Sequence, residues 1–480
     1  MKKYLLFSTL TSLSLLSFGQ ADIWLPIDTT GFGSPQNVNI GVFQTFNGNI
    51  YCATERNGTG TAQIRYSSTG NTGTWNQITS FTPSLHPSVK AFPSFGKLDS
   101  AGIMWVGTGS GIGTRIYRTT DGLTFNAISK RGFNNNSGLV TPSPNIVVFQ
   151  GSADTIPYLY AGGGSHGGNT NAEVWRIPYY STDSSDWVRI IDFDTIIPAV
   201  IPADTVDLIS YWCVWNNKIY FSTNCKGQLW ESSDGVNFTQ NALAPFGQYG
   251  FGVGSNIVIA CLQVFNDTLY ASTTNKILGG QMYRTGDGIN WQQITANAFG
   301  KADTVEELHH MDTAFGYIWV TAYTDTSISN GCPIWRSSDG VNFVQSNIDG
   351  FGNPLIDGQN PGIISFGNNM YFGGPNYTTG GQIWRTDMTT GINQIDNKGS
   401  SLNIFPNPFS TQTTLQTDKI FKDATLTVYN LFGQTVKQIE NISGQTVVFS
   451  RDNLPNGLYF VRLTEENKTI TVDKLVITDK

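Results

Sequence analysis

Charge is scarce in this chain. Only 13% of its 480 residues are Asp, Glu, Lys or Arg, and only four are His. Coiled coils and charge-rich disordered segments are excluded by that composition. Residues 22–399 carry 18 Lys and Arg against 27 Asp and Glu, a balance of −9, and residues 400–480 carry eight of each. A mildly acidic chain without basic clusters is a poor nucleic-acid binder, so no nucleic-acid partner is expected. Glutamate is rarer still, with only Glu55, Glu173, Glu231, Glu306 and Glu307 in residues 22–399, thin material for a catalytic carboxylate pair. Five cysteines (Cys52, Cys213, Cys225, Cys261, Cys332) stand at irregular spacing without a CxxC pair. Their odd number leaves at least one outside any internal disulfide. No metal motif is present and no cofactor is named. Beyond residue 18 no apolar run approaches the roughly 20 residues of a membrane span, so no transmembrane segment is expected there.

What the chain does have begins at its N-terminus. Lys2 and Lys3 precede the apolar stretch YLLFSTLTSLSLLSF, and Gly19-Gln20-Ala21 supplies small residues for cleavage. Residues 1–21 therefore read as a secretory signal; a membrane anchor is the competing reading, disfavoured by a short run broken by Ser and Thr. After it, 52 Gly and a 12% aromatic content alternate with β-branched runs. That is the composition of an all-β chain with many turns.

The stretch SSDGVNF occurs twice, at 232–238 and 337–343. It belongs to a longer unit, best preserved in LYASTTNKILGGQMYRTGDGINWQQI (269–294). One aromatic recurs at Tyr51, Trp105, Tyr160, Tyr220, Tyr270, Trp319 and Tyr371, and a second at Tyr117, Trp175, Trp230, Tyr283, Trp335 and Trp384. Steps of about fifty residues, with one further apolar run ahead of each first aromatic, predict seven units of four short strands. The expected fold is all-β: a seven-bladed β-propeller over 22–399, with a β-solenoid as the rival. Either residues 23–27 or GINQI (391–395) can complete the last blade.

The turn box appears as TTDGLTF (119–125), SSDGVNF, TGDGINW (285–291) and SSDGVNF, between the third and fourth strands. Asp-Gly between strands is a hairpin signal, since Gly accepts a positive φ and the Asp carboxylate bonds the turn's own amides. The box resembles the Asp-box, Ser-x-Asp-x-Gly-x-x-Trp, of sialidases and many other propellers, with one residue deleted between Asp and Gly. That resemblance implies a structural role for Asp121, Gly122, Asp234, Gly235, Asp287, Gly288, Asp339 and Gly340, on outer turns away from any catalytic face.

A sialidase clamps its substrate carboxylate with three arginines. Five of the ten arginines in 22–399, Arg118, Arg176, Arg284, Arg336 and Arg385, occupy one repeated position, which spreads them round a ring. Binding is expected instead at a face of Gly-rich loops (108–114, 162–171, 273–280, 323–331) and repeated aromatic-Gly elements (31–33, 132–134, 245–247, 298–300, 350–352). The repeated Phe reads as a plug between blades. Within that face His309 and His310, in EELHHMDT, align with Ser210-Tyr211 and Ala260-Cys261 at the start of the innermost strand. His166, Tyr211, Trp212, His309, His310 and Asp312 are the candidate binding residues, with Asp312 as an acid/base partner for a histidine. No catalytic residue is assigned, and the ligand is expected to be an extracellular glycan or protein.

At Gly399-Ser400-Ser401 the repeat stops. PNP at 406–408, VYNLFGQTV at 428–436, NLPNGLYFVRL at 453–463 and KLVIT at 474–478 closely resemble the type A C-terminal sorting domain of the type IX secretion system of Bacteroidota. The resemblance implies a small Ig-like β-sandwich over 400–480, read by the exporter as partner and removed at the surface. Delivery through the periplasm to the cell surface or medium follows from it.

Overall fold

The computed structural model describes residues 22–142, 145–164, 171–196, 206–324, 330–356, 358, 360–386, 402–430, 435–465 and 468–479. The signal segment, His166 and GINQI lie outside them. The chain divides into two compact units, Met1–Met388 and Thr389–Lys480.

The first unit is built from four-stranded antiparallel meanders. In the first, Asn37–Phe46, Asn49–Arg56, Ile64–Ser67 and Asn76–Gln77 pair in chain order. Ile209–Trp215, Lys218–Thr223, Leu229–Ser232 and Thr239–Gln240 repeat the pattern in the fourth. In four repeats the connection from first to second strand is two residues long with positive φ at both: Asn47-Gly48, Asn216-Asn217, Asn266-Asp267 and Phe315-Gly316. Turns of that hand match the twist of the strands they join.

Repeats vary at their edges. Ser80–Thr82 adds a parallel fifth strand to the second, and the first strand of the third is split into Thr141–Pro142 and Val147–Phe149. The fifth and sixth share the ladder pair Thr274↔Glu307, with a further bond from Asn275 N to Glu306 O beside it. In the last, Gly362–Phe366, Asn369–Gly374 and Gln382–Thr386 gain their fourth strand from the start of the unit, since Trp24–Asp28 pairs with Gln382–Thr386. The first strands touch in succession, those beginning at Asn37, Val89, Val147, Ile209, Val258, Val305 and Gly362, and the last touches the first again. The chain thus makes a closed circuit.

One device locks each meander to the next. The repeated first aromatic sits on the second strand and is fully buried at every occurrence. Where it is Tyr, its hydroxyl meets a turn glycine of the following repeat. Tyr51 meets Gly122, Tyr160 meets Gly235, Tyr270 meets Gly340 and Tyr371 meets Gly70, so closely that any Cβ on the glycine would overlap the hydroxyl. Tyr220 stands 3.2 Å from the Cβ position of Gly288. Tyr160 also donates to the Gly235 carbonyl at 3.1 Å. The repeats after Trp105 and Trp319 carry no Asp-Gly turn, whereas the repeat that meets Tyr371 keeps the glycine in Thr69-Gly70.

A second device is the aromatic-Gly element. Phe32, Phe133, Phe251, Phe299 and Phe351 all have φ between 54° and 57°. Each packs on an aromatic of the repeat it leads into: Phe133 on Trp175, Phe251 on Tyr283 at 3.8 Å and Phe351 on Trp384 at 4.4 Å. Left-handed backbone is costly for a bulky residue, and the stacking holds it there. In the fifth repeat the stacking residue is Phe251 of Gly250-Phe251-Gly252. This corrects the expectation for 245–247, whose Phe246 packs beside it.

The second unit holds Leu402–Phe405, Gln412–Tyr429, Thr435–Ser450, Gly457–Glu465 and Lys468–Ile477 in one five-stranded antiparallel sheet. The strand Gln412–Tyr429 pairs with Leu402–Phe405 in its first part and with Gly457–Glu465 in its second. Leu415 and Phe449 from one end share a core with Val428, Val461 and Leu475 from the other. In place of any division into separate sheets, the small β domain expected over 400–480 has one continuous sheet whose two ends share this core.

Candidate functional site

The first strands surround a cavity of about 750 Å³. Ser210, Ala260 and His309 each fall where the pairing of a first strand skips a residue, between Ile209 and Tyr211, Ile259 and Cys261, and Leu308 and His310. A bulge re-aims the side chain it carries. In two repeats that residue is small, and in the third it is an imidazole. Tyr211, Trp212, His309, His310 and Asp312 all line the cavity.

Asp312 is not the partner of a histidine. Its Oδ1 accepts from Thr313 N at 2.8 Å and its Oδ2 from Ser365 N at 3.2 Å. Gln44 and Gln263, each likewise two residues from the end of a first strand, accept from the next backbone N–H in the same way. Asp312 is thus the charged version of a repeated wall position. Burial pushes its carboxyl up to about 6, because a charge without solvent is disfavoured.

His309 takes Glu307 instead. Its Nδ1 is in a short contact with Glu307 Oε1, and Thr274 Oγ1 donates a short bond to Glu307 Oε2. Burial alone would raise the Glu307 carboxyl, but His309, Thr274 and Lys276 together hold it below the usual range. Nothing in the sequence reading singled out Glu307 in this role. Its signal was its place two residues before His309, which puts both on one face of a strand.

His310 faces Tyr211, ring to ring at 5.9 Å and 67°. Burial, and then the neighbouring His309, push the His310 ring down to about 3, so it is neutral at ordinary pH. Burial lifts the Tyr211 hydroxyl well above 10, with Cys261 and Asp312 adding to it. All five cysteines are free thiols. Among the described residues no group of three or more His, Cys, Asp or Glu could hold a metal ion.

The cavity lining contains no arginine. The repeated arginines stand on third strands, each in register with a first aromatic, as in Trp105↔Arg118, Tyr270↔Arg284 and Trp319↔Arg336. Glu173 is likewise committed elsewhere, accepting from Trp175 Nε1 at 2.7 Å and pairing with Arg189 at 3.2 Å. Glu55 does line the cavity, and burial raises its carboxyl.

At the turns, Asp234 Oδ1 accepts from Ser232 Oγ, Val236 N and Asn237 N at 2.8–2.9 Å, and its Oδ2 accepts from Asn237 Nδ2 at 2.7 Å. Gly235 N closes the turn on Ser232 Oγ. The same bonds recur around Asp339 and, with Thr285, around Asp287. Asp121 has them too, except for the asparagine.

Residues 403–478 match the family described as the secretion system C-terminal sorting domain. This tail implies recognition by the type IX machinery and export to the cell surface or beyond. Among the described residues no helix is long and apolar enough to cross a membrane. No curated protein matches the chain. Similar solved structures include PorZ, a surface component of the type IX secretion system of Porphyromonas gingivalis, with 12% identity, 95% of this chain and 61% of that one covered, and a TM-score of 0.49. An extracellular domain of a hybrid two-component system from B. thetaiotaomicron is also 12% identical, over 95% of this chain and 57% of that one, with a TM-score of 0.45. The β-propeller domain of the trilobed protease from Pyrococcus furiosus has 8% identity, 73% and 96% coverage, and a TM-score of 0.38. The chain spans less than two thirds of the length of the first two.

Proposed function

We propose that residues 22–399 form a seven-bladed propeller with Asp-box-like turns, carried to the bacterial surface by the tail. There it acts as a non-enzymatic module that binds an extracellular glycan or protein at the channel. The closed circuit of first strands supports the blade count, and the pairing of Trp24–Asp28 with the last repeat supports closure by the N-terminal strand. In this reading the signal over 1–21 and the tail over 400–480 are delivery segments, the first removed on the way to the periplasm and the second at the surface.

The observation that carries binding over cleavage is the commitment of the channel's acids. Both Asp312 oxygens accept backbone N–H groups, Glu307 is taken by His309 and Thr274, and no arginine lines the wall. A sialidase-like clamp has nothing to be made from. The alternative is a glycan-processing hydrolase or lyase at the same face, and the features in its favour are the carboxylate-held His309 and the cavity-lining Glu55, whose carboxyl burial raises.

Fluorogenic glycosides and a glycan array, applied to the full secreted chain, separate the two. Array binding without turnover is expected. Turnover abolished by changing His309 or His310 would put the enzyme reading in its place. Deleting 401–480 should leave the chain in the periplasm, and normal surface delivery of that truncation would contradict the delivery role of the tail.

A further inference from the structure

We infer that the channel is a site for a neutral, hydroxyl-rich ligand, in which His309 accepts a ligand O–H at Nε2 while Glu307 and Thr274 hold the ring. This deepens the binding reading above and rests on it.

The ring is fixed from two repeats at once. Glu307 precedes His309 by two residues on the same strand, and Thr274 reaches it from the end of the neighbouring repeat's second strand. Thr274 and Glu307 are also paired through the backbone where those two meanders meet, flanked by the bond from Asn275 N to Glu306 O. The holding carboxylate therefore sits at a seam and not on a free loop. With Nδ1 turned to Glu307, Nε2 is the ring atom left for a ligand, and it accepts in the Nδ1–H tautomer. Among the described residues Nε2 has no protein hydrogen bond, and the ring lines the cavity. An acceptor fixed in that way requires a donor on the ligand.

Charge narrows the ligand further. No arginine lines the cavity, and its one lysine, Lys97, is paired with Asp99 at 2.8 Å. Glu55 and Asp312 face the same space, and Glu307 stands behind His309. An anionic ligand would meet carboxylates and no free cation. A cationic ligand would find each Asp312 oxygen already accepting from a backbone N–H, and a Glu55 carboxyl whose charged form burial disfavours. What remains on the wall is neutral hydrogen-bonding capacity, such as the amides of Gln44 and Gln263, beside the ring of Trp212. The volume of about 750 Å³ falls within the range of pockets that enclose small ligands.

The test uses the full secreted chain and an array divided into neutral, amino and acidic glycans, followed by titration of the strongest hit. Neutral members are expected to bind, with affinity falling more than 10-fold in His309→Ala and several-fold in Glu307→Gln. His309→Gln, which keeps an acceptor, should restore part of the loss. Nitrogen NMR of the ligand-free His309 ring should show the Nδ1–H tautomer, becoming a mixture in Glu307→Gln. Binding confined to acidic or amino glycans would overturn the ligand class. Unchanged neutral binding in His309→Ala, or an Nε2–H tautomer in the native chain, would overturn the role of the ring and leave the binding reading standing. An array with no hit at all would overturn this inference and the glycan form of the binding reading, leaving a protein ligand.

Discussion

Aspartate does opposite things at the rim and in the channel of this molecule. At Asp287 and Asp339, backbone and side-chain donors from Asn290 and Asn342 pull an exposed carboxyl far below its usual value. At Asp121 slight burial works the other way, yet the turn's donors still bring the carboxyl down to about 2. At Asp312 burial wins over two backbone donors, and the carboxyl rises to about 6. The same group in the same fold is thus a turn brace where water reaches it and a strained wall element where water is scarce. Donor count alone does not decide the outcome; desolvation does.

The largest effect that would sharpen this contrast lies at the rim. Gly340 has φ 70° and no room for a Cβ against Tyr270. Gly340→Val should cost about 3 kcal/mol or more, measured by denaturant unfolding. Gly288→Val, where Tyr220 leaves 3.2 Å, should cost less. Tyr270→Phe should recover part of the Gly340 loss in a double-mutant cycle, which isolates the contact from the backbone strain. Equal costs at both glycines would break the interlock account.

Next comes the channel. With a folded pKa near 6 against 3.8 unfolded, Asp312 binds its proton more tightly in the native state. Stability from this group is therefore full below about pH 4 and is lost as pH rises through 6. Asp312→Asn should gain on the native chain by on the order of 2 kcal/mol between pH 4 and pH 7.5, whatever fixed offset the lost acceptor adds. A pH-independent difference would contradict burial as the cause. The rim carboxylates have the reverse sign: their contribution is present above about pH 4 and is lost as pH falls toward and below 2. Asp339→Ala is the smallest change, about 1 kcal/mol at neutral pH, from the turn bonds it removes.

Much of the frame was legible because it obeys local rules. Asp-Gly needs its turn, and an aromatic at constant spacing needs the same burial each time, so Tyr51 through Tyr371 and the turn boxes fall where their pattern put them. The aromatic-Gly register failed in one repeat because Phe246 and Phe251 lie five residues apart in a connection that fits either to the pattern. Closure by Trp24–Asp28 depends on contact between chain segments some 360 residues apart, which no local rule weighs. In the site, Tyr211, His310 and Asp312 line the channel as the alignment to Ser210-Tyr211 and Ala260-Cys261 implied. The sequence reading pairs a histidine with Asp312 and does not weigh Glu307, the actual partner of His309. Strand alternation favours Glu307, and the backbone donors that occupy Asp312 are invisible in sequence.

Rim turns and channel wall have separate tasks in this molecule, a division of labour between stability and binding. It is tested most directly by titrating the strongest array ligand into Gly340→Ala and His309→Ala, at a temperature well below both unfolding transitions. The division predicts a lowered unfolding midpoint with native affinity for Gly340→Ala, and for His309→Ala an affinity reduced more than 10-fold even where the chain is fully folded, its midpoint lowered only by the partner that Glu307 loses. Lost affinity at an unchanged midpoint in Gly340→Ala would contradict it.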